Sequence, residues 1–390
     1  MPGQSPTIAF RRALPTQAAP CRRVLNKGVF EMPVTVVVGG QYGSEGKGKL
    51  VSHLACSSRD AVAVVRCGGP NAGHTAVASG VTLQLRQLPC GVVDARASLY
   101  MAAGMVIDLP VLLDEIARCH VTPDRLVIDR NACVITDVDR SNEVTGSLRD
   151  RIGSTLSGTG SATARKVLRD PDLPIARDVA ELKPYIGDVA ELINAHLDAG
   201  TEVVVEGTQG YGLSLHHSDF YPFATSRDTT AAAFLSEAGL SPLTVREIYM
   251  VLRTYPIRVA GNSGPLPGEI TWAKLSENAR YPHAVAEYTT VTKKLRRVAH
   301  FDWDMAKKAV RANRPTGIAL HGADYLDYGD YGKTDWSSLS RTTREFVRSL
   351  EDMLEVPVSF VFTGPSAEQI IDRRPVAKGH QLRSFEAAAL

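Results

Sequence analysis

The chain has 390 residues, 44% hydrophobic and 22% charged, and its 44 basic and 42 acidic side chains leave a net charge of +2. This composition excludes a disordered chain, a collagen-like repeat and a coiled-coil rod, and no run nears the ~18 apolar residues of a membrane span, so no transmembrane helix is expected. Near-neutral charge argues against a nucleic-acid partner and favours local phosphate binding in a pocket.

The first segment, residues 1–32, is expected to be a disordered N-terminal extension. Residues 1–31 contain four prolines, five basic residues and one acidic residue, without an apolar period. They lack the hydrophobic core of a secretory signal, whereas an organelle transit peptide or a start at Met32 remain alternatives. Residues 33–390 contain no repeat or low-complexity linker, and we expect them to form a single domain.

Short β-branched runs predict the strands of this domain. Residues 34–38 read Val-Thr-Val-Val-Val, which is typical of a strand buried on both faces. Further strands are predicted over residues 61–66, 126–129, 202–206, 248–252, 317–320 and 356–362, and helices over residues 50–54, 109–119, 179–197 and 337–355. The alternation predicts an α/β fold with a mostly parallel central sheet and helices on both faces.

A glycine-rich turn follows the first strand. Residues 39–50 read Gly-Gly-Gln-Tyr-Gly-Ser-Glu-Gly-Lys-Gly-Lys-Leu and lead into a predicted helix. Backbone N–H groups at such a strand–turn–helix junction favour phosphate, and Lys47 and Lys49 supply charge. The P-loop template fits from Gly43 to Lys49 but fails at Leu50, where a hydroxyl should meet magnesium. The turn is therefore P-loop-like, and a glycine turn without a ligand is the weaker alternative.

The six cysteines do not form a metal or disulfide pattern. No pair has C-x-x-C spacing, and six in 390 residues are too few for a disulfide scaffold. Reduced thiols in a cytoplasmic protein are the expected state.

The phosphate turn resembles the N-terminal signature of the adenylosuccinate synthetase family. Other segments resemble further motifs of that family in the same order, namely residues 69–75, 153–155, 206–210, 221–226, 290–297 and 363–365. The resemblance implies one catalytic domain over residues 33–390 and a C–N bond-forming ligase. Such enzymes join L-aspartate to C6 of a purine monophosphate through a 6-phosphoryl intermediate, with a nucleoside triphosphate, Mg²⁺ and a homodimer.

The resemblance also implies the site residues. Catalytic roles fall on Ser44, Lys47 and His74, with His74 as general acid, and Mg²⁺ ligation falls on Ser44 and the Gly73 carbonyl. The implied nucleotide- and phosphate-binding residues are Gly43, Ser44, Glu45, Gly46, Lys47, Gly48, Lys49, Asn71, Gly73, Thr75, Asp324, Thr363, Gly364 and Pro365. Those implied around the purine monophosphate are Ser154, Thr155, Arg169 (from the neighbouring subunit), Gln209, Leu213, Thr225 and Val259. The implied aspartate-binding residues are Thr290, Thr292, Lys294 and Arg296.

Two departures from the family pattern concern the substrates. Ser44 stands where the family has an aspartate that removes the N1 proton of hypoxanthine, and the shorter side chain makes room for the 2-amino group of guanine. Serine here resembles a phage-associated branch, the 2-aminoadenylosuccinate synthases, which act on dGMP and so make N6-succino-2-amino-2′-deoxyadenylate for diaminopurine nucleotides. An ordinary synthetase using IMP and GTP, and a catalytically silent nucleotide-binding module, are the alternatives.

The second departure is Gly322, where the family has a lysine that packs on the guanine of GTP. Asp324 remains, but without the lysine a strong selectivity for guanine is not expected, and ATP, dATP and GTP are all candidate phosphoryl donors. The phage branch would place the enzyme in the cytoplasm of an infected bacterium.

Overall fold

A computed structural model describes residues 33–78, 80–289, 294–366 and 368–375. These residues all belong to one compact unit, Met32–Leu390. The expected N-terminal extension over residues 1–32 lies outside the described residues and stays a prediction.

The described residues form seventeen strands and ten α-helices. The strands are β1 (Val34–Gly39), β2 (Ala63–Arg66), β3 (His74–Ala78), β4 (Val81–Leu85), β5 (Ser98–Met101), β6 (Val106–Ile107), β7 (Leu126–Asp129), β8 (Cys133–Val134), β9 (Ile186–Gly187), β10 (Val203–Glu206), β11 (Val245–Arg253), β12 (Ile257–Arg258), β13 (Glu269–Ile270), β14 (Arg297–Ala299), β15 (Gly317–His321), β16 (Val358–Phe362) and β17 (Ile370–Asp372). The helices are α1 (Lys47–Ser57), α2 (Leu109–Arg118), α3 (Asp137–Thr145), α4 (Leu148–Ile152), α5 (Thr159–Leu168), α6 (Val189–Asp198), α7 (Ala231–Ala238), α8 (Trp272–Asn278), α9 (Trp303–Asn313) and α10 (Arg341–Leu354).

The central sheet has ten strands in the order β17-β16-β15-β11-β1-β10-β2-β5-β7-β9. All neighbouring pairs in it are parallel except β16 and β17, which pair antiparallel. The predicted α/β class with a mostly parallel central sheet is confirmed. Chain segments leaving β1 and β10, which lie side by side, therefore reach the same edge of the sheet, where parallel folds bind ligands.

Burial explains why the β-branched runs form the central strands. All six residues of β1 are buried, as are all four of β2 and of β10. Because alternate side chains of a strand point to opposite faces, complete burial requires cover on both faces of the sheet. Helices α1 and α7 both pack on β1 and β10 and supply part of that cover.

Each of the seven predicted strands is present, with ends shifted by at most three residues. The predicted helix over residues 179–197 is confirmed only in its second half. A 3₁₀ turn over Ala180–Tyr185 and strand β9 precede α6, which begins only at Val189. Pro184 has no N–H to donate within a helix, and Asp188 caps α6 by accepting a hydrogen bond from the Glu191 N–H at 3.1 Å. The predicted helix over residues 337–355 begins at Arg341, after a short 3₁₀ turn.

The fold also contains smaller sheets beside the ten-stranded one. Strands β3 and β4 form an antiparallel hairpin, and β12, β14 and β13 form a three-stranded antiparallel sheet. Over the residues that the structure describes, we find no helix with both the length and the apolar character to cross a bilayer.

Candidate active site

A cavity of about 520 Å³ lies among the loops that follow the carboxyl ends of the central strands. Its walls come from segments after β1, β2, β10, β11, β15 and β16. Most of the residues singled out in the sequence meet here, namely Gly43, Ser44, Gly46, Lys47, Gly48, Lys49, Asn71, Gly73, His74, Thr75, Thr155, Gln209, Leu213, Val259, Arg296, Asp324, Gly364 and Pro365. The parallel sheet thus brings together motifs that are more than 300 residues apart.

Residues 39–49, called the phosphate loop below, pack on a buried carboxylate. Glu45 is fully buried, and its Oε1 accepts hydrogen bonds from the N–H groups of Gly43, at 2.8 Å, and Gln41, at 3.1 Å. Its Oε2 pairs with Lys47 Nζ at 2.6 Å. The predicted phosphate-binding residue Glu45 therefore contacts the loop's own backbone and lysine and does not line the cavity.

Glycines permit this close packing at two positions. A Cβ on Gly210 would lie 2.0 Å from Glu45 Oε1, so only glycine leaves room for the carboxylate. Gly46 has φ 102° and precedes α1, and a Cβ there would lie 2.5 Å from His321 Nε2. Both positions need the small size of glycine, and Gly46 also needs its access to the left-handed region.

The two loop lysines are buried and directed at backbone carbonyls. Lys47 Nζ donates to the Gln209 carbonyl, and Lys49 Nζ donates to the Gly364 carbonyl and lies 4.4 Å from the centre of the Phe362 ring. Burial lowers the pKa of Lys49 to about 7, and the Asp324 charge only partly opposes this shift. An anionic ligand at this position would favour the charged amine.

A buried ion group holds His74 at the other side of the loop. Glu206 Oε1 contacts Arg66 Nη1 at 3.0 Å and His74 Nδ1, and Glu206 Oε2 accepts from the Cys90 N–H at 2.7 Å. Arg66 Nη2 also donates to the Ala72 carbonyl at 2.9 Å, next to Gly73. The sequence analysis identified His74 but gave no role to Arg66 or Glu206, although each is the last residue of a predicted strand.

These neighbours set the protonation of the group. Burial and the adjacent Arg66 lower the pKa of His74 to about 4, although Glu206 opposes them. Burial would raise the pKa of Glu206, but Arg66 and His74 hold it at about 2. The imidazole is therefore neutral near pH 7, with Nδ1–H donating to the Glu206 carboxylate. Its Nε2 has no hydrogen-bond partner among the described residues.

The opposite end of the cavity is built around Asp324. This side chain is buried, it accepts a hydrogen bond from the Tyr281 hydroxyl, and burial raises its pKa. Gly322 beside it has φ 82°, and a Cβ there would lie 2.8 Å from Thr254 Oγ1. The loop is therefore shaped for glycine, and a lysine at this position would be strained.

Arg253, Glu287 and Tyr325 also line the cavity, and sequence reasoning missed all three. Arg253 and Arg296 both pair with Glu287, and the Tyr325 hydroxyl donates to it at 2.8 Å. Arg253 is the last residue of β11, so its position at the end of a predicted strand was the available signal.

Several residues implied by the resemblance lie off the cavity wall. Thr363 is buried and its Oγ1 donates to the Lys333 carbonyl at 2.7 Å, and Ser154 Oγ donates to Glu143 at 3.2 Å. Thr225, Lys294 and the exposed Arg169 are also not among its lining residues. Thr290 and Thr292 lie outside the described residues.

Comparison with known proteins identifies the family to which this chain is similar. The family model described as adenylosuccinate synthetase matches residues 36–172 and 174–333. An adenylosuccinate synthetase of Methanocaldococcus jannaschii is 39% identical over 355 residues, which cover 89% of this chain and 99% of that protein. One of Pyrococcus horikoshii is 40% identical over 350 residues, with 88% and 99% covered.

Two solved structures resemble the fold. Fully ligated adenylosuccinate synthetase from Plasmodium falciparum superposes with a TM-score of 0.77 at 21% identity, covering 88% of this chain and 100% of that one. Succinoaminodeoxyadenylate synthetase of cyanophage S-2L, bound to dGMP and dATP as an energy donor, has a TM-score of 0.72 at 30% identity, covering 87% and 95%.

The low pKa of His74 predicts a pH-dependent stability. Between pH 6.5 and 4 the unfolded chain binds a proton at this histidine that the folded protein does not, so the free energy of unfolding falls as the pH falls. His74→Asn keeps a donor for Glu206 but cannot titrate. Its loss of stability from pH 7 to pH 5, measured by urea unfolding, should be smaller than the parent's by about 2 kcal/mol. An unchanged loss would contradict a neutral buried His74.

Proposed function

The chain belongs to the adenylosuccinate synthetase family and is a C–N bond-forming ligase of that type, and we propose that its purine substrate is dGMP. The reaction then joins L-aspartate to C6 of dGMP and yields N6-succino-2-amino-2′-deoxyadenylate, a precursor of diaminopurine nucleotides. Nucleoside triphosphate hydrolysis drives it.

The observation that carries this proposal is Ser44. It lines the cavity in the middle of the phosphate loop, with φ 57°, and its hydroxyl has no hydrogen-bond partner among the described residues. A short, neutral side chain leaves room beside C2 of a purine, and a free hydroxyl can accept a hydrogen bond from a 2-amino group. Guanine carries that group and hypoxanthine does not.

The similarity to the cyanophage S-2L enzyme, solved with dGMP and dATP, supports the same substrate class. The second candidate is IMP, which the ordinary synthetases use, and the 39–40% identity to archaeal adenylosuccinate synthetases favours it. The two candidates differ only in the group on C2 and in the sugar, so they are separated by a substrate panel.

In the proposed chemistry the purine loses its N1 proton and its O6 takes the terminal phosphoryl group of the donor. The aspartate amine then displaces phosphate at C6 and releases a proton. We expect His74 to hydrogen-bond the migrating phosphoryl oxygen through Nε2. An arriving phosphate is negative and favours the imidazolium, whose second N–H is already held by Glu206. Glu206 thereby fixes the ring orientation and balances the charge.

Lys47 and Lys49 would neutralise the charge of the transferring group. Phosphoryl transfer depends on positioned cations more than on covalent chemistry, and both amines line the cavity. Because the pKa of Lys49 is about 7 without a ligand, we expect triphosphate binding to draw a proton onto this amine.

Mg²⁺ is the proposed cofactor. The Ser44 hydroxyl and the Gly73 carbonyl are neutral oxygen donors at the cavity, which suits an ion carried mainly by phosphates and water. When bound, the ion would neutralise negative charge on the phosphate groups. Among the described residues, His74, Cys90 and Glu206 also cluster, but Arg66 at 3.0 Å from Glu206 supplies the positive charge there.

The proposed phosphoryl donor is ATP or dATP, with GTP also accepted. Gly322 offers no side chain to pack over a guanine base, and its left-handed backbone disfavours a longer residue. Asp324 alone does not easily exclude adenine, and one of its oxygens is already engaged by the Tyr281 hydroxyl.

We also propose a homodimer that completes the monophosphate site. Arg169 ends α5 with φ 58°, is exposed and does not line the cavity, and it follows Val167 and Leu168, which are 73% and 76% exposed. An apolar pair beside an arginine suits a surface that a second copy covers, with Arg169 reaching the phosphate of the partner's nucleotide.

A substrate panel tests the proposed function. The protein is incubated with L-aspartate, Mg²⁺, each of IMP, GMP, dGMP and dIMP, and each of ATP, dATP and GTP, and products are identified by mass. We expect the highest kcat/KM with dGMP and a GTP preference over ATP below about a hundredfold, or about 2.7 kcal/mol. Turnover of IMP but not of dGMP would contradict the proposed substrate.

Ser44→Asp should shift the purine preference towards IMP. The added carboxylate crowds C2 and restores a base near N1, so the dGMP-to-IMP ratio of kcat/KM should fall at least about tenfold, or ~1.4 kcal/mol. Ser44→Ala is the matched control, because it keeps the space and removes only the hydroxyl, so it should retain the preference for dGMP. If Ser44→Asp uses dGMP as well as the parent does, Ser44 is not the determinant.

Arg169→Leu should raise the KM for the purine monophosphate by about tenfold or more, because it removes a charge-assisted contact to phosphate. Arg348→Leu, at an exposed position on α10, is the control and should leave this KM unchanged. Sedimentation should show a dimer for all three proteins. Full activity of a species that sediments as a monomer would refute the shared site.

A further inference from the structure

A carboxylate that no motif indicated lies between two arginines of the cavity. Glu287 Oε2 accepts from Arg296 Nη1 at 3.0 Å, and Glu287 Oε1 accepts from Arg253 Nη2 and, at 2.8 Å, from the Tyr325 hydroxyl. The Arg296 N–H also donates to the Glu287 carbonyl at 2.8 Å. Glu287 therefore fixes both the backbone and the guanidinium of Arg296.

The same network reaches the phosphate loop. Arg253 Nη1 donates to the Ser44 carbonyl at 3.2 Å. The Arg253 backbone is held in turn by Gln41, whose amide nitrogen donates to its carbonyl at 3.0 Å and whose amide oxygen accepts its N–H at 2.9 Å. A continuous path of hydrogen bonds thus joins Ser44 to Arg296.

One edge of Arg296 is unpaired. Its Nη1 is engaged by Glu287, whereas its Nε is buried without a hydrogen-bond partner among the described residues. A buried donor of this kind costs free energy until a ligand satisfies it. The Nε and Nη2 groups of a guanidinium together match the two oxygens of a carboxylate, so this edge fits a carboxylate ligand.

Charge explains why Glu287 is needed. Arg253 and Arg296 both pair with Glu287, so two positive charges meet one carboxylate, and the Asp324 charge also acts on Arg253. Burial would raise the pKa of Glu287, but the two arginines lower it, so the carboxylate is ionised. Without it, two guanidinium groups would repel each other in a poorly solvated site, and Arg296 would leave its position.

We propose that Glu287 is a positioning residue with two roles. It directs the unpaired edge of Arg296, formed by Nε and Nη2, at a carboxylate of L-aspartate, and through Arg253 it fixes the carbonyl of Ser44. The inference rests on the proposed ligase function for the identity of the amino acid. It makes the purine and amino-acid subsites energetically coupled, because both are held by the same carboxylate.

The test compares Glu287→Gln with Glu269→Gln in the full chain. Glu269 pairs with the next arginine, Arg297, in an ion pair at the protein surface, so its variant controls for the loss of one acidic charge near this segment. For each protein, kcat and the KM for L-aspartate are measured with dGMP and with IMP. The Kd of the monophosphate is measured by calorimetry without aspartate or donor, and folding by thermal unfolding.

For Glu287→Gln we expect the KM for L-aspartate to rise about tenfold or more, with kcat at saturating aspartate within about threefold of the parent. The Kd of the monophosphate should rise about threefold, because Ser44 loses its anchor. Glu269→Gln should match the parent. An unchanged aspartate KM in Glu287→Gln, or a loss confined to kcat, would overturn the proposal.

A second variant covers a folding failure of Glu287→Gln, and the measurement with IMP covers a failure of the proposed substrate. If Glu287→Gln does not fold, Tyr325→Phe loosens the same carboxylate without removing charge, and a rise of about twofold to fivefold in the aspartate KM is expected, with no rise contradicting the proposal. If the parent turns over IMP and not dGMP, the proposed substrate fails, but the aspartate KM measured with IMP still decides the role of Glu287.

Discussion

The site depends on a buried ion pair between two neighbouring strands. Arg66 and Glu206 are the last residues of β2 and β10, they face each other in register, and both are fully buried. Removing one partner of such a pair leaves an uncompensated buried charge and costs about 3–5 kcal/mol. Here each partner also binds the backbone of the chain above the sheet, Glu206 at Cys90 and Arg66 at Ala72. The pair thereby joins the sheet to the loop that carries Gly73 and His74.

The phosphate loop uses the same physical device. Glu45 is buried beneath it and takes up two N–H groups and one lysine, so the loop is rigid before any ligand arrives. In both places an inner carboxylate balances part of the positive charge of the cavity. The remaining cations, held at fixed positions, are what a triphosphate and a phosphoryl group require, because preorganised charge does not have to rearrange during the reaction.

Glu287 is a third inner carboxylate, and it lies between Arg253 and Arg296. Its two arginines come from different layers of the fold, Arg253 from the end of the central strand β11 and Arg296 from the segment before β14. At the far end, the Tyr281 hydroxyl donates to Asp324, and the rings of Tyr325 and Tyr328 pack on Tyr281 with centres 6.0 and 4.6 Å from its own. Tyr281, Tyr325 and Gly322 line the end of the cavity where we propose that the donor binds.

The sequence by itself determined the elements whose signal is local. Valine-rich runs predicted the central strands, because complete burial requires apolar residues on both faces. The glycines and lysines of the turn after β1 predicted a phosphate site. The tertiary structure alone decided the rest. Arg66 and Glu206 are 140 residues apart, and only the strand order makes them neighbours. Glu287 likewise meets Arg253 at the end of β11 and Arg296 just before β14 only in the folded chain. The helix expected over residues 179–197 is interrupted for two reasons. Pro184 has no N–H to donate within a helix, and the next residues, β9, pair instead with the distant strand β7. Pairings between distant segments depend on topology, and no local pattern of residues encodes them.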